Sequence, residues 1–156
     1  MRPDDLMRLA INAAQRGILA GQSPFGCAIA QGGRIVSACH NTVWLTTDIT
    51  AHAEINAVRE ACRRQKQILL EGCIVASTCE PCPMCMAALH WARVQTVYYG
   101  ATIADAREAG FQELALPAAT VVQMGNSRVA LYDGILAEEC RELFAQWKRS
   151  TVQPSY

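Results

Sequence analysis

Two short segments hold the side chains best suited to chemistry. His52-Ala53-Glu54 is one, and Pro81-Cys82-Pro83-Met84-Cys85 is the other, with 29 residues between His52 and Cys82. One imidazole and two thiolates make three zinc ligands, and a tetrahedral zinc then keeps one position for water. An open fourth position marks a catalytic rather than a structural site. Cys82 and Cys85 fall at the expected start of a helix, where the positive end of the dipole favours thiolates, the metal-binding form. His52 and Glu54 fall at the start of another. Deep inside a helix their spacing would point them roughly 200° apart. If His52 precedes the regular geometry, both reach one site. A carboxylate beside a metal-activated water suits general acid–base work, taking a proton there and returning it elsewhere.

Other readings of these residues stay open. Cys79 could complete a closed structural site as a fourth ligand, although Glu54 then has no role. Cys79-x-x-Cys82-x-x-Cys85 is also the start of an iron–sulfur run, but such a run needs a fourth Cys followed by Pro, and here Leu89 and His90 stand there. A redox C-x-x-C explains neither His52 nor Glu54. His40 and His90 are assigned no metal role. The chain has eight cysteines, and Cys27, Cys39, Cys62, Cys73 and Cys140 read as small buried hydrophobes. The N-terminal Met-Arg-Pro-Asp-Asp lacks the apolar core of a signal peptide. A reducing, cytoplasmic setting is expected, in which clustered cysteines bind metal or do chemistry.

The elements that must position these residues follow from periodicity. Leu6 to Ala20 reads as an amphipathic helix closed by Gly21 and Pro24. Gly26–Ala30 and Arg34–Ala38 flank Gly32-Gly33 and read as a hairpin. Ala51, Ile55, Val58 and Cys62 recur at helical spacing, giving a helix over Ala51–Lys66. Cys73–Thr78 reads as a buried strand, Pro83–Ala92 as a short helix with Pro at its start, and Val97–Tyr99 as a strand. Arg128–Tyr132 is a fifth strand, ended by Asp133-Gly134, and Ile135–Lys148 a last amphipathic helix. Strands alternating with helices after a hairpin predict a three-layer α/β/α sandwich around a five-stranded mixed sheet. Residues 1–156 read as one domain, a usual size for one. Arg59, Arg63, Arg64 and Lys66 read as a solvated helix end.

Composition narrows the function. Hydrophobic residues make up 51% and charged residues 18%, which excludes a disordered chain. Fourteen Lys+Arg balance fourteen Asp+Glu, so a strongly basic nucleic-acid binder is not indicated. No run of about 18 apolar residues exists, so no membrane helix is expected.

The pattern H-x-E…P-C-x-x-C is the signature of zinc nucleobase deaminases, and this sequence fits it residue for residue. From Leu6 to Lys148 the chain resembles the cytidine deaminase-like superfamily, most specifically in Thr50-Ala-His-Ala-Glu-Ile-Asn-Ala57 and Ser77-Thr-Cys-Glu-Pro-Cys-Pro-Met-Cys85. The resemblance implies a mixed sheet between helices and one Zn2+ per subunit, held by His52, Cys82 and Cys85. The implied reaction replaces an exocyclic amine with oxygen and releases ammonia. Glu54 would protonate the ring nitrogen and then the leaving amine.

Within the superfamily, Pro24-Phe25-Gly26, Asn41, the Cys79–Cys85 run, His90-Trp-Ala-Arg93 and Ala104-Asp-Ala-Arg-Glu-Ala-Gly-Phe111 are similar to bacterial guanine deaminases. That branch carries an acid shortly after Gly-Phe that contacts the purine and helps move protons. Glu113 matches it, although Asp is the alternative residue there. By the same matching, Asn41 would hydrogen-bond the base, Phe25 and Trp91 would pack around its ring, and Ala53 would join the substrate-contacting set. Asp133–Phe144 instead resembles the last helix of tRNA adenosine deaminases. In guanine deaminases the tail is exchanged between subunits and a final Tyr closes the pocket. This chain ends in Tyr156, but the residues before it do not match, so a homodimer without tail exchange is expected. Free guanine is the leading substrate. Cytosine, a nucleoside, another aminoheterocycle or a tRNA adenosine are alternatives, with tRNA disfavoured by the neutral charge.

Overall fold

Two clusters of buried side chains, one on each face of a single sheet, organise the chain. The computed structural model describes residues 1–150 and 154–156. Its strands are β1 (Gly26–Gln31), β2 (Arg34–His40), β3 (Cys73–Cys79), β4 (Thr96–Ala101) and β5 (Ala130–Tyr132), in the spatial order β2-β1-β3-β4-β5. β1 runs antiparallel to β2 and β3, while β3, β4 and β5 are mutually parallel. The sheet is therefore mixed and five-stranded, as expected.

Alternation along the strands sorts side chains between the two faces. In β1, Ala28 and Ala30 join one cluster and Cys27 and Ile29 the other; in β3, Ile74 and Ala76 oppose Cys73 and Val75. Both faces are covered, which is why these strands read as nearly continuous apolar runs. The helices are α1 (Pro3–Leu19), α2 (Val43–Thr46), α3 (Ala53–Gln65), α4 (Pro83–Trp91), α5 (Ile103–Ala109), α6 (Ala118–Met124) and α7 (Ala137–Ser150). α1, α5 and α7 supply the first cluster, and α3, α4 and α6 the second. The result is the expected α/β/α layering.

Local chemistry explains the boundaries. Pro3 at the first position and Asp4 and Asp5 in the first turn start α1 ahead of its first apolar residue. Gly26 lets β1 begin against that helix, because a Cβ there would lie 2.1 Å from the Ala10 carbonyl oxygen. α7 begins at Ala137, not at the expected Ile135, because Gly134 and Leu136 both take positive φ. The short helices α2, α5 and α6 are additions to the expected set. The arginines at the end of α3 lie on its solvated face, where Arg63 and Arg64 both pair with Glu60. Among the described residues, no helix is long and apolar enough to cross a membrane.

Candidate active site

The site forms where two helices on one face of the sheet begin. His52 is the N-cap of α3, with extended backbone (φ −64°, ψ 158°), so its ring departs before helical geometry sets in. Glu54 already lies in the first turn. This break in geometry lets two residues of awkward spacing converge. Cys82 is likewise the N-cap of α4 (φ −62°, ψ 166°), and Cys85 sits in its first turn. Pro83 takes the first helical position, where its missing N–H removes no bond. Neither side chain makes the usual N-cap bond to its helix, and both turn into the site instead.

The ligand atoms of His52, Cys82 and Cys85 lie within 4.8 Å of one another. His52 Nδ1 is 3.7 Å from Cys82 Sγ and 3.5 Å from Cys85 Sγ. One imidazole nitrogen and two sulfurs suit zinc and leave a tetrahedral position uncommitted. Hydrogen bonds from Cys85 and His52 pull the Cys82 thiol well below its ordinary range against the effect of burial. The bond to Cys82, together with burial, pushes Cys85 up. Burial opposes charge on His52, but Cys82 and Glu54 outweigh it and raise the imidazole. Cys82 is thereby favoured as a thiolate, the form of cysteine that binds a metal cation.

Glu54 is 6% exposed. Its Oε1 accepts from Ser77 Oγ at 2.9 Å and its Oε2 from Cys85 Sγ at 3.5 Å. Burial raises its carboxyl above the ordinary carboxylate range, while His52 and Ser77 pull it back. A carboxyl so placed can exchange protons with a molecule lying over the cluster.

The surrounding pocket is lined by Phe25, Glu80, Glu113 and Tyr156 together with His52, Glu54, Cys79 and Cys82. Phe25 stands edge-on to Phe111 and Phe144, with centroids at 4.8 Å and 5.8 Å, forming an aromatic wall. Glu113 lies between α5 and α6, and burial pushes its carboxyl up to about 7. Asn41 is buried; its Oδ1 accepts from Val43 N at 3.0 Å, which orients Nδ2 toward the Tyr156 hydroxyl at 2.6 Å. Tyr156 thus lies over the site of its own chain, its ring 6.2 Å from that of His52. A vestibule of ≈ 290 Å³ outside it is walled by Ile49, Pro83, Met84 and Leu114.

The structure brings together His52, Glu54, Cys82, Cys85, Phe25 and Glu113, with Asn41 reaching the pocket through Tyr156. Ala53 is buried at the first position of α3, between His52 and Glu54. Trp91 is not brought in. It is 78% exposed at the far end of α4, edge-on to His90. It lies six residues beyond Cys85 on α4, roughly 9 Å along the axis. Cys79 does not complete a four-ligand set: its Sγ faces the Thr102 carbonyl at 3.5 Å. His40 bonds the Asn41 carbonyl and His90 the Ser127 hydroxyl. Cys27, Cys73 and Cys140 are buried, and Cys39 and Cys62 partly so. Ser77, Glu80 and the position of Tyr156 are site features that motif reasoning missed. Ser77 sits inside the quoted motif, and its inward strand position was the available signal.

Residues 2–101 match the cytidine and deoxycytidylate deaminase zinc-binding region. The chain belongs to that deaminase family. It is a zinc-dependent hydrolytic deaminase of the nucleobase and nucleoside type. A guanine deaminase of Bacillus subtilis is 41% identical to it over 114 residues, 72% of this chain and 73% of that protein. A tRNA-specific adenosine deaminase of Agrobacterium fabrum is 32% identical over 145 residues, 92% of this chain and 91% of that protein. A solved tRNA:A34 deaminase superposes with a TM-score of 0.78 at 29% identity, covering 89% of this chain and 98% of that one. The deaminase thus shares its core with both branches, and the tRNA-branch alignment extends over more of it.

Proposed function

We propose that this deaminase hydrolyses free guanine to xanthine and ammonia. The carrying observation is Glu113, a half-buried carboxyl sharing one pocket with His52, Glu54 and Cys82. Guanine presents an N1–H donor beside its C2 amine, whereas adenine and cytosine present only ring acceptors beside theirs. A carboxylate opposite that edge satisfies guanine and leaves the other bases without a match. Sites that hydrogen-bond a substrate group discriminate strongly, because the wrong ligand leaves buried polar groups unpaired.

In this reading His52, Cys82 and Cys85 hold one zinc per subunit, which when bound polarises and acidifies water. Glu54, anchored by Ser77, would pass one proton of the attacking water to the ring nitrogen and then carry the second, from the added hydroxyl, to the amine, which leaves as ammonia as the C2=O bond forms. Glu113 accepts from the N1–H edge and helps carry protons near neutral pH. Asn41 Nδ2 donates to an acceptor on the base once Tyr156 yields that bond, Phe25 packs against the ring, and Ala53 borders it. Tyr156 covers the bound base, so substrate enters by the vestibule. We place the enzyme in the reducing cytoplasm as a homodimer.

A second reading, deamination of adenosine in tRNA, draws on the alignment that spans 92% of this chain. It requires Tyr156 to clear the site for a flipped nucleotide. Ammonia release from the zinc-loaded protein separates the two, using guanine, cytosine, adenine, their nucleosides and a tRNA anticodon stem-loop, with Glu54→Ala as control. Release from guanine alone is expected. Release from the stem-loop alone overturns the free-base reading.

A further inference from the structure

Three carboxyl groups line the pocket: Glu54, Glu80 and Glu113. Glu54 and Glu113 have positions from which protons can move. Glu80 is differently committed. It follows the end of β3, where its N–H donates to the Ala101 carbonyl at 2.8 Å. Its Oε2 accepts from Ile103 N at 3.1 Å and its Oε1 from Ala118 N at 2.9 Å. These amides open α5 and α6, and such N–H groups have no partner within their own helix. α5 has its own cap, because Thr102 and Asp105 form a reciprocal capping box. α6 has none: its N-cap is Pro117, which offers no side-chain acceptor. Glu80 therefore supplies the missing cap from a distance of 38 residues in sequence.

The segment between α5 and α6 is the one that carries Glu113. α5 leads into it through Gly110, and Ala118 receives it at the other end. One carboxylate, two residues before Cys82, thus ties the ligand-bearing loop to both helices that frame Glu113.

We propose that Glu80 is a positioning residue, which sets Glu113 against the metal-ligand loop by holding the first amides of α5 and α6. With each oxygen engaged by a backbone N–H, Glu80 is a strut rather than a proton carrier. The proposal rests on the reading of Glu113 as a substrate-contacting acid.

The test is Glu80→Gln. A glutamine keeps one acceptor and turns an amide donor toward the other N–H, so one of the two bonds is lost. Three outcomes are expected. Zinc content stays at the wild-type level. Amide hydrogen exchange rises across 103–120. The kcat on guanine falls on the order of tenfold to a hundredfold, the range for a misplaced catalytic group, with KM changed far less. In a Glu113→Gln background the same substitution costs little more, since the group it positions is already gone. Unchanged exchange, or a full further loss of kcat in that background, overturns the proposal.

Ala118→Pro provides a second route should Glu80→Gln fail to fold. Proline is tolerated at a first helical position, and the extended ψ of 144° at Pro117 accommodates it. It deletes one donor and leaves Glu80 intact, and it is expected to raise exchange across the same segment and lower kcat. Exchange is read without substrate. A wild-type enzyme inactive on guanine would therefore defeat the proposed function while leaving the strut open to test.

Discussion

Ser77→Ala isolates the anchoring of Glu54. Ser77 lies inside β3, 2% exposed, and its hydroxyl donates to Glu54 Oε1 at 2.9 Å. The other carboxylate oxygen is held by Cys85 Sγ at 3.5 Å, a longer and weaker contact. Removing the hydroxyl therefore leaves Glu54 with one poor protein partner. A hydrogen bond to a charged group contributes roughly 1.5–3 kcal/mol. If that bond is felt fully in the transition state, kcat falls about tenfold to a hundredfold, at 1.36 kcal/mol per factor of ten. The three candidate ligands are untouched, so zinc content stays near wild type. The assay is ammonia release from the base that the panel identifies, with metal content measured on the same preparation. A kcat within twofold of wild type, with zinc bound, refutes the anchoring role. Loss of zinc together with activity refutes it differently, by showing that Ser77 acts through the ligands.

Two further perturbations follow from geometry and burial. Gly26→Ala puts a Cβ 2.1 Å from the Ala10 carbonyl oxygen and 2.7 Å from Ala14 N, both backbone atoms of α1; overpacking of about 1–3 kcal/mol should lower Tm by several degrees in thermal unfolding. The Glu113 carboxyl, raised from 4.5 to about 7 by burial, favours the neutral form in the folded zinc-free protein. Its contribution to stability is therefore full below 4.5 and lost as pH rises through about 7. Unscreened, that is roughly 3 kcal/mol, and partial exposure reduces it to about 1–2 kcal/mol. Urea unfolding of zinc-free Glu113→Gln at pH 5 and pH 8 should show a correspondingly smaller loss than wild type, and equal losses would remove Glu113 from a buried setting.

The long elements were legible because each presents one dominant period. α1 shows helical spacing from Leu6 to Ile18, and β1 and β3 are apolar on both faces because helices cover both. The ligand set was legible because zinc demands particular atoms at particular spacings. What stayed hidden is what depends on contacts distant in sequence. Glu80 reads as an ordinary motif residue, because its partners are the backbone amides of residues 103 and 118. Trp91 was expected at the ring since it follows a matching motif, but the rise of α4 carries it away. α2, with four residues, is too short to show a period. α5 did leave a signal, Thr102 with Asp105 three residues on and Gly110 at its end, of the kind that marks helix boundaries. α6 left none, because its cap comes from another part of the chain.

The central place of β3 bears on the order of events in the life of the molecule. β3 lies between β1, antiparallel to it, and β4, parallel to it. The imidazole comes from the helix before this strand and the thiols from the helix after it. They meet only after β3 has inserted and both helices have docked, a non-local assembly that is slow by nature. Two apolar clusters, not the ligands, drive that assembly. Unlike a zinc finger, which is unfolded without its ion, this chain carries an apolar cluster on each face of its sheet that does not include His52, Cys82 or Cys85. Folding and metal binding are thereby separable steps, and zinc-free protein is expected to keep its secondary structure by circular dichroism, with loss of that signal on chelation refuting the separation.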